Sequence, residues 1–554
     1  MSDDGKVKGF SSDFGFGSTD HPEVKPLPFR IMAVGDFCGA GRDVARSPVN
    51  IDAHDFDAVM AKLGVRAFFE VENELGGADK TLEVDLKLTS IKSFEPTNVA
   101  AGIPALGAVS EFIRRAKGVS DGSVKPAEFK QNLSEFQKVP LLREPLEAVL
   151  EKLGGAPASS EPASGDASGG AAVDAIFDMV DASKKQTGGS AIDAFAGSLS
   201  GGSQKGIDVS GGIALAMAAL EKQLKAVTGH EQFKRLEANW RGLHLLCKRG
   251  KGVQLELFDG DFDAWQERVY QREYAGTTEA PLGLVVLADK IENSPAGLEA
   301  LQQWGDAGGQ IQCGVVFDAE ALIGEDMRTL AKRDAPANLF DDPRFDKWRS
   351  LRDKDESRWL CAALNGWTSA GNWGSPAWLV AVAVAQSMRR TGWPSAHTGA
   401  ADGEIEQLKT REYDGAEIPL EATLSDRALK DLSKAGFTPL ICQANNDSAW
   451  VMLAPTVHKP SKAEEEGKLG TLAYQLLAAR MGEMIMRNKG KLIVPGDMQG
   501  SAENFAKFLA GMLAESGPGA NIDITSQGST LVLSVRTGRD ILGGAELQLG
   551  VNVE

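Results

Sequence analysis

The sequence feature that most constrains the fold is a long run of small and polar residues before the middle of the chain. It extends from Gly154 to about Gly206, beginning GGAPASSEPASGDASGGAA and ending GSLSGGSQKG. A segment so poor in large apolar side chains cannot bury enough apolar area to fold alone, and its composition is typical of a linker. The sequence therefore predicts two folded parts, residues 27–153 and residues 207–554, with an N-terminal extension over residues 1–26.

The composition excludes several classes of protein. The 554 residues are 42% hydrophobic and 25% charged, with a net charge of −18 at pH 7, which argues against a nucleic-acid binder. The apolar run Ala377–Val384 is too short for a bilayer, which needs about 20 residues. The first residues lack the pattern of a signal peptide, and the five cysteines include no CxxC pair. We expect a cytoplasmic protein with no direct membrane insertion.

The hydrophobic patterns predict an α/β, or mixed α+β, fold in both parts, with mixed sheets and flanking helices. In the first part we expect strands at Leu27–Val34, Arg66–Val71 and Leu82–Leu88, and helices at Asp55–Leu63, Ile103–Ala116 and Pro145–Leu153. In the second part we expect strands at Val253–Leu257, Leu282–Leu287, Ile311–Phe317, Asn521–Thr525, Leu531–Val535 and Glu546–Val553. The expected helices there lie in Gly212–Cys247, Phe262–Tyr274, Ala377–Arg390, Asp426–Ala435 and Leu469–Lys489.

The sequence contains no strong motif for catalysis, cofactor binding or metal binding. The chain has no GxxxxGK[ST], no dinucleotide fingerprint and no GxSxG, so we predict no catalytic, cofactor-binding or metal-binding residue. His244 and Cys247 are three residues apart on a predicted helix, but two ligands do not make a closed metal site, and a packed pair is favoured. The mixed charges of Asp341–Arg358 could hide a carboxylate pair, but they favour a salt-bridged surface.

The helix predicted over His230–Arg249 carries a stripe typical of packing. Phe233, Leu236 and Trp240 recur at helical spacing on one face. Arg241 and His244 lie beside this stripe. We interpret the helix as a packing and assembly surface with a polar rim.

Two further segments are amphipathic. Residues 172–182 place Val173, Ile176, Phe177 and Val180 on one face of a short helix. Such a helix is marginal alone in water, so it needs a docking surface on its own chain or on a partner. In residues 546–553, Leu547, Leu549, Val551 and Val553 share one face of a strand.

Several long stretches resemble the large sheath subunit of the type VI secretion system. They are EQFKRLEANWRGLHLL, FDKWRSLRDKDESRW, the helix ending RRTGW, LSDRALKDLSKAGFTPLICQANNDSAWV and HKPSKAEEEGKLGTLAYQLLAARMGEMI, in that order. The first part resembles the small sheath subunit of the same system, through LPFRIMAVGDFCG, NIDAHDFDAVMAKLGVRAFFEVENELG and LKLTSIKSFEPTNVA. The chain therefore looks like a natural fusion of the two sheath subunits.

The resemblance implies a mechanical function without enzymatic activity. Members of this family form a sixfold helical polymer of copies around an inner tube protein above a baseplate, and contraction propels the tube and its spike out of the cell. Strands link neighbouring copies, and the matching positions are Lys6–Phe16 and residues 546–553. An AAA+ unfoldase grips a short helix, which by position corresponds to Val173, Ile176, Phe177 and Val180.

Two alternatives stay open at this point. One is a sheath-like protein of another contractile or non-contractile tubular assembly. The other is a cytoplasmic enzyme whose Cys–His or carboxylate site is assembled only in space.

Overall fold

The computed structural model describes residues 27–41, 47–152, 210–276, 278–369, 372–466, 468–513, 521–537 and 546–553. Helices and strands alternate through both parts, which confirms the α/β prediction. The predicted linker, the helix at 172–182 and the N-terminal extension lie outside the described residues. Within the described ranges, no helix is long and apolar enough to cross a membrane.

The strands are β1 Arg30–Gly35, β2 Val49–Asn50, β3 Arg66–Glu72, β4 Thr81–Lys87, β5 Gln254–Asp259, β6 Leu282–Leu287, β7 Gly314–Asp318, β8 Leu360–Leu364, β9 Trp367–Ser369, β10 Asn372–Gly374, β11 Glu404–Ile405, β12 Arg411–Tyr413, β13 Ala416–Ile418, β14 Phe437–Pro439, β15 Ile441–Cys442, β16 Ala449–Trp450, β17 Asn521–Gln527, β18 Thr530–Arg536 and β19 Glu546–Asn552.

The α-helices are α1 Phe56–Leu63, α2 Pro96–Gly102, α3 Pro104–Asp121, α4 Pro126–Lys130, α5 Leu133–Phe136, α6 Arg143–Lys152, α7 Ser210–Gly229, α8 Glu231–Arg249, α9 Phe262–Trp265, α10 Gln271–Tyr274, α11 Pro295–Ile311, α12 Glu320–Ile323, α13 Met327–Ala331, α14 Asp346–Arg352, α15 Ala377–Thr391, α16 Asp426–Lys434, α17 Lys462–Glu466, α18 Leu472–Leu492 and α19 Met498–Leu513. A π-helical turn, Gln266–Tyr270, joins α9 to α10.

A seven-stranded sheet forms the centre of the molecule. Its strand order is β14-β8-β7-β6-β1-β5-β2, and only the short edge strand β2 runs antiparallel to its neighbour. Strand β1 comes from the first part of the chain, yet it lies between β5 and β6 of the second part. The two parts therefore share one sheet, a relationship that the sequence did not predict.

Both faces of this sheet are covered, as expected for parallel strands. Ile31 and Ala33 of β1 point into a core shared with α8 and α15, whereas Met32 and Val34 point into a core on the opposite face. All six residues of β1 are buried. This explains why RIMAVG is a nearly continuous apolar run instead of an alternating one.

A smaller unit follows at the C-terminal end. Strands β17, β18 and β19 form an antiparallel sheet in that order, and its apolar face packs with α18 and α19 around a third core. The prediction of a β-rich end is confirmed.

One predicted strand begins later than expected. Ile311 is the last residue of α11, and Gln312 ends that helix in the left-handed region with φ 54°. The strand expected from Ile311 therefore starts at Gly314. The apolar pattern of IQCGVVF continues across the helix end and hides the boundary.

Candidate functional site

The candidate site is the junction between the two parts of the chain, with β1 at its centre. The parallel register sets Ile31 opposite Leu255 on β5 and opposite Leu284 on β6. Since neighbouring strands lie about 4.8 Å apart, β5 and β6 cannot pair with each other while β1 separates them. The central sheet is continuous only when both parts are present.

A buried ionic group fixes the first residue of this strand. Arg30 Nη1 lies 3.3 Å from Glu256 Oε1 on β5, and Arg30 Nη2 pairs with Glu273 on α10. The side chains of Arg30 and Glu273 are 6% and 3% exposed. Glu273 also accepts a hydrogen bond from the backbone N–H of Leu282 at 3.3 Å. The Arg30 guanidinium therefore links β1 to β5 within the sheet and to α10 beside it.

Carboxylates at the ends of neighbouring strands hold the loop that follows β1. Asp259 Oδ1 accepts hydrogen bonds from the N–H groups of Phe37 at 2.8 Å and Cys38 at 2.9 Å. Asp289 Oδ2 accepts from the N–H of Asp36 at 2.8 Å. Burial raises the pKa of Asp289. These strand-end acids satisfy the backbone of a loop instead of facing an open cleft.

Helix α8 packs its apolar stripe onto the first part of the chain. Phe233, Leu236 and Trp240 are fully buried. Trp240 Nε1 donates to the carbonyl of Phe37 at 2.8 Å, and its ring meets the rings of Phe37 and Phe56 edge-on at centroid distances of 5.6 and 5.5 Å. Edge-to-face pairs add about 0.5–1.5 kcal/mol each beyond area burial. The stripe is an internal interface between the two parts.

The polar side chains beside this stripe on α8 also contact residues of the same chain. Arg241 Nε donates to Glu237 Oε1 at 2.8 Å, and Glu237 accepts from Asn372 at 3.2 Å. The His244 ring lies 4.9 Å from the ring of Phe56. Burial, helped by Lys248, lowers the pKa of His244 to about 4. His244 is therefore neutral at pH 7 and acts as a packing group.

Helices α8 and α15 cross at a very short distance. A Cβ added at Gly242 would lie 2.1 Å from Nε1 of Trp378, which is fully buried. Only glycine allows this approach. The partner of Gly242 could not be predicted from the sequence, because Trp378 lies inside an apolar run with no local feature that specifies its neighbour.

The environment of the cysteines does not favour nucleophilic chemistry. Burial raises the pKa of the Cys247 thiol to about 12, so the thiol beside His244 stays protonated, whereas a reactive cysteine needs its thiolate form. Among the described residues, no group of three or more His, Cys, Asp or Glu side chains is arranged to hold a metal ion.

The charged segment Asp341–Arg358 forms surface ion pairs. Arg358 Nη2 lies 2.8 Å from Asp355 and 3.3 Å from Glu464, and Arg349 pairs with Asp346. The salt-bridged surface expected for this segment is what the structure contains.

The C-terminal strand lies against its own chain. In the antiparallel register Leu547, Leu549 and Val551 face Val535, Leu533 and Leu531 on β18. Leu547 and Val551 are buried, and Leu549 and Val553 are half-buried. Among the described residues β19 pairs only with β18, so its outer side is a sheet edge.

The four apolar residues expected to bind an unfoldase, Val173, Ile176, Phe177 and Val180, lie outside the described residues. Sequence reasoning also missed Arg30 and a second buried arginine, Arg480. Both side chains are charged, and charged residues in apolar segments carry no local sign that they are buried.

Comparisons with known proteins identify both parts of the chain. The family model for the type VI secretion system protein VipA matches residues 14–151. The model for VipB, a tail sheath N-terminal domain, matches residues 261–369 and 365–458. The type VI secretion system sheath protein TssC1 of Pseudomonas aeruginosa is 24% identical over 327 residues, which cover 49% of this chain and 64% of that protein. The chain thus spans slightly less than two thirds of this relative.

Two solved structures are also similar. A sheath tail protein from Listeria innocua has 11% identity and a TM-score of 0.29, covering 51% of this chain and 60% of that one. A sheath tail protein from Desulfitobacterium hafniense has 10% identity and a TM-score of 0.30, covering 55% of this chain and 62% of that one.

Proposed function

This chain belongs to the sheath proteins of the type VI secretion system, joining a VipA domain and a VipB domain in one polypeptide, and from that premise we propose that it is the repeating subunit of a contractile helical sheath. Copies form a sixfold tube around an inner tube protein on a baseplate in the cytoplasm. Contraction of this tube drives the inner tube and its spike out of the cell. The chain acts as a structural element and not as an enzyme.

The observation that carries the proposal is the insertion of β1 between β5 and β6. A sheath subunit must transmit force as one body. A parallel strand in the middle of a sheet can leave only by breaking both of its ladders, and here Arg30 adds a buried ionic link. Fusion and insertion together give every subunit one copy of each domain.

The contact between copies is proposed to be strand addition at the C-terminal sheet. An extended segment gains affinity from backbone hydrogen bonds along a sheet edge, and its alternate side chains fill the apolar face. Residues 546–553 have this pattern, with Leu547, Leu549, Val551 and Val553 as the apolar set. A neighbouring copy would receive the strand in the arrangement that β19 has against β18 within one chain.

Two variants of β19 test this contact. Val553 donates its N–H to Ser529 O at 2.9 Å, so the alternating ladder turns the N–H of Leu549 toward the paired strand and the N–H of Gln548 toward the outer edge. Leu549→Pro removes a donor of the ladder that a neighbouring copy would share, whereas Gln548→Pro removes only an outward donor and is the matched control. We expect Leu549→Pro, like deletion of residues 546–554, to leave a soluble subunit that no longer sediments as polymer. Polymer formed by both variants at the level of Gln548→Pro would show that β19 does not link copies.

A second proposed contact concerns recycling by an AAA+ unfoldase. The apolar face formed by Val173, Ile176, Phe177 and Val180 is the proposed recognition element. Phe177→Asp should abolish binding of the unfoldase without reducing polymer formation, as measured by pull-down and sedimentation in parallel. Unchanged binding of the unfoldase would show that this segment docks on its own chain instead.

A further inference from the structure

A buried arginine on α18 has no acidic partner among the described residues. Arg480 is 8% exposed, and burial lowers its pKa to about 10. Its Nη2 donates to the carbonyl of Leu27 at 2.7 Å, but its buried Nε has no hydrogen-bond partner among the described residues. A guanidinium has five N–H donors, and leaving a buried charge uncompensated is costly.

Aromatic rings compensate this charge only in part. The guanidinium carbon of Arg480 lies 5.9 Å from the ring centroid of Phe29 and 6.0 Å from that of Trp393. These distances are at the outer limit of a cation–π contact, which contributes about 0.5–2 kcal/mol. An oxyanion would satisfy the guanidinium better, since it accepts two parallel hydrogen bonds.

The guanidinium faces a small cleft at the amino end of the central sheet. Leu27 and Phe29 before β1, Leu282 on β6, Ile311 at the end of α11 and Leu476 on α18 line it. The cleft has about 30 Å³ of free volume, and about 10–15 Å³ holds one water molecule. It therefore has room for the head of a carboxylate and not for a nucleotide.

We propose that this cleft is an oxyanion site, in which Arg480 binds one carboxylate-sized anion. The anion comes from solution, and its carboxylate pairs with a guanidinium held between apolar walls.

One acidic residue beside the cleft is a rival for this role. Glu483 lines the cleft three residues after Arg480, but its carboxylate pairs with Arg487 on the next turn. Arg487 in turn donates to the carbonyl of Thr278 at 2.7 Å, which holds this pair on the outer side of α18. Arg487→Gln is therefore a matched control on the same helix.

The test uses the full chain and sodium acetate as the probe. The midpoint of thermal unfolding is measured against acetate concentration, with sodium chloride replaced so that ionic strength stays constant. The variants are Arg480→Gln, Arg480→Lys, Arg487→Gln and Glu483→Gln.

Two outcomes together support the site. The midpoint of the wild type rises with acetate and saturates. Arg487→Gln shows the same rise, and Arg480→Gln shows none. Arg480→Lys keeps a positive charge but lacks the two parallel N–H donors of the guanidinium. The acetate response of its unfolding midpoint should be at least tenfold weaker.

Two outcomes would overturn the proposal. One is the absence of any saturable acetate response in the wild type. The other is a response that appears only in Glu483→Gln, because Glu483 would then be the ordinary partner of Arg480.

Discussion

Gly242 on α8 lies against the indole of Trp378 on α15, so closely that a Cβ at Gly242 would be 2.1 Å from Trp378 Nε1. The contact joins the helix that binds the first part of the chain to the helix buried behind the central sheet. Both residues lie in the interior, and Trp378 has no room to move away because it is fully buried.

The first prediction concerns this contact. Gly242→Ala should lower the free energy of unfolding by about 1–3 kcal/mol or more, because the added methyl group overpacks the crossing. Gly482→Ala on α18 is the control, since its Cβ would meet no atom closer than 3.6 Å. Replacing that glycine should stabilise the helix by about 0.5–1 kcal/mol. Denaturant unfolding measures both, and equal effects of the two substitutions would contradict the close crossing.

The second prediction concerns the buried ionic group at β1. Arg30→Met removes the buried cation that Glu256 and Glu273 share, although Arg272 stays 3.4 Å from Glu273, and should destabilise the protein by about 3–5 kcal/mol. Arg66→Met removes a surface cation paired with Asp85 at 2.6 Å and should change stability little, because exposed pairs are screened by water. A small effect of Arg30→Met in the same denaturation assay would show that the insertion of β1 does not depend on the ionic link.

The third prediction is a pH dependence from His397. This side chain is fully buried, its Nδ1 lies 2.6 Å from the carbonyl of Pro394, and burial lowers its pKa to about 4. Between about pH 6.5 and pH 4 the unfolded state takes up a proton that the folded state does not, so stability falls as the pH falls through this window.

His397→Asn measures this effect. The free energy of unfolding of the wild type should lose up to about 3 kcal/mol more than that of the variant between pH 7 and pH 4. His244→Gln should give a difference of the same sign, because burial lowers the pKa of His244 to about 4 as well. Parallel pH profiles for the wild type and His397→Asn would contradict a neutral, buried imidazole.

The fourth prediction concerns the shared sheet. After cleavage at a protease site introduced near residue 180, the two fragments should stay associated, because β1 stays between β5 and β6. The two fragments should elute together in gel filtration at any ionic strength, and residues 207–554 expressed alone should be insoluble. Separation of the cleaved fragments under native conditions would show that β1 is not a central strand.

Local patterns predicted the elements well and their long-range partners poorly. The buried stripe of Phe233, Leu236 and Trp240 could be predicted, because helical spacing alone marks a buried face. The pairing of β1 with β5 could not be predicted, since the partners Arg30 and Gln254 lie 224 positions apart in the sequence and nothing in either strand specifies the other. Arg480 was missed for a related reason: an arginine on an amphipathic helix reads as a surface residue until the neighbouring strands are known.

Helical reconstruction of the purified full-length protein by electron cryomicroscopy tests the central claim most directly. We predict a sixfold tube in which residues 546–553 of one copy extend the C-terminal sheet of a neighbouring copy. Discrete single particles at all protein concentrations, with β19 retained on its own β18, would contradict the account.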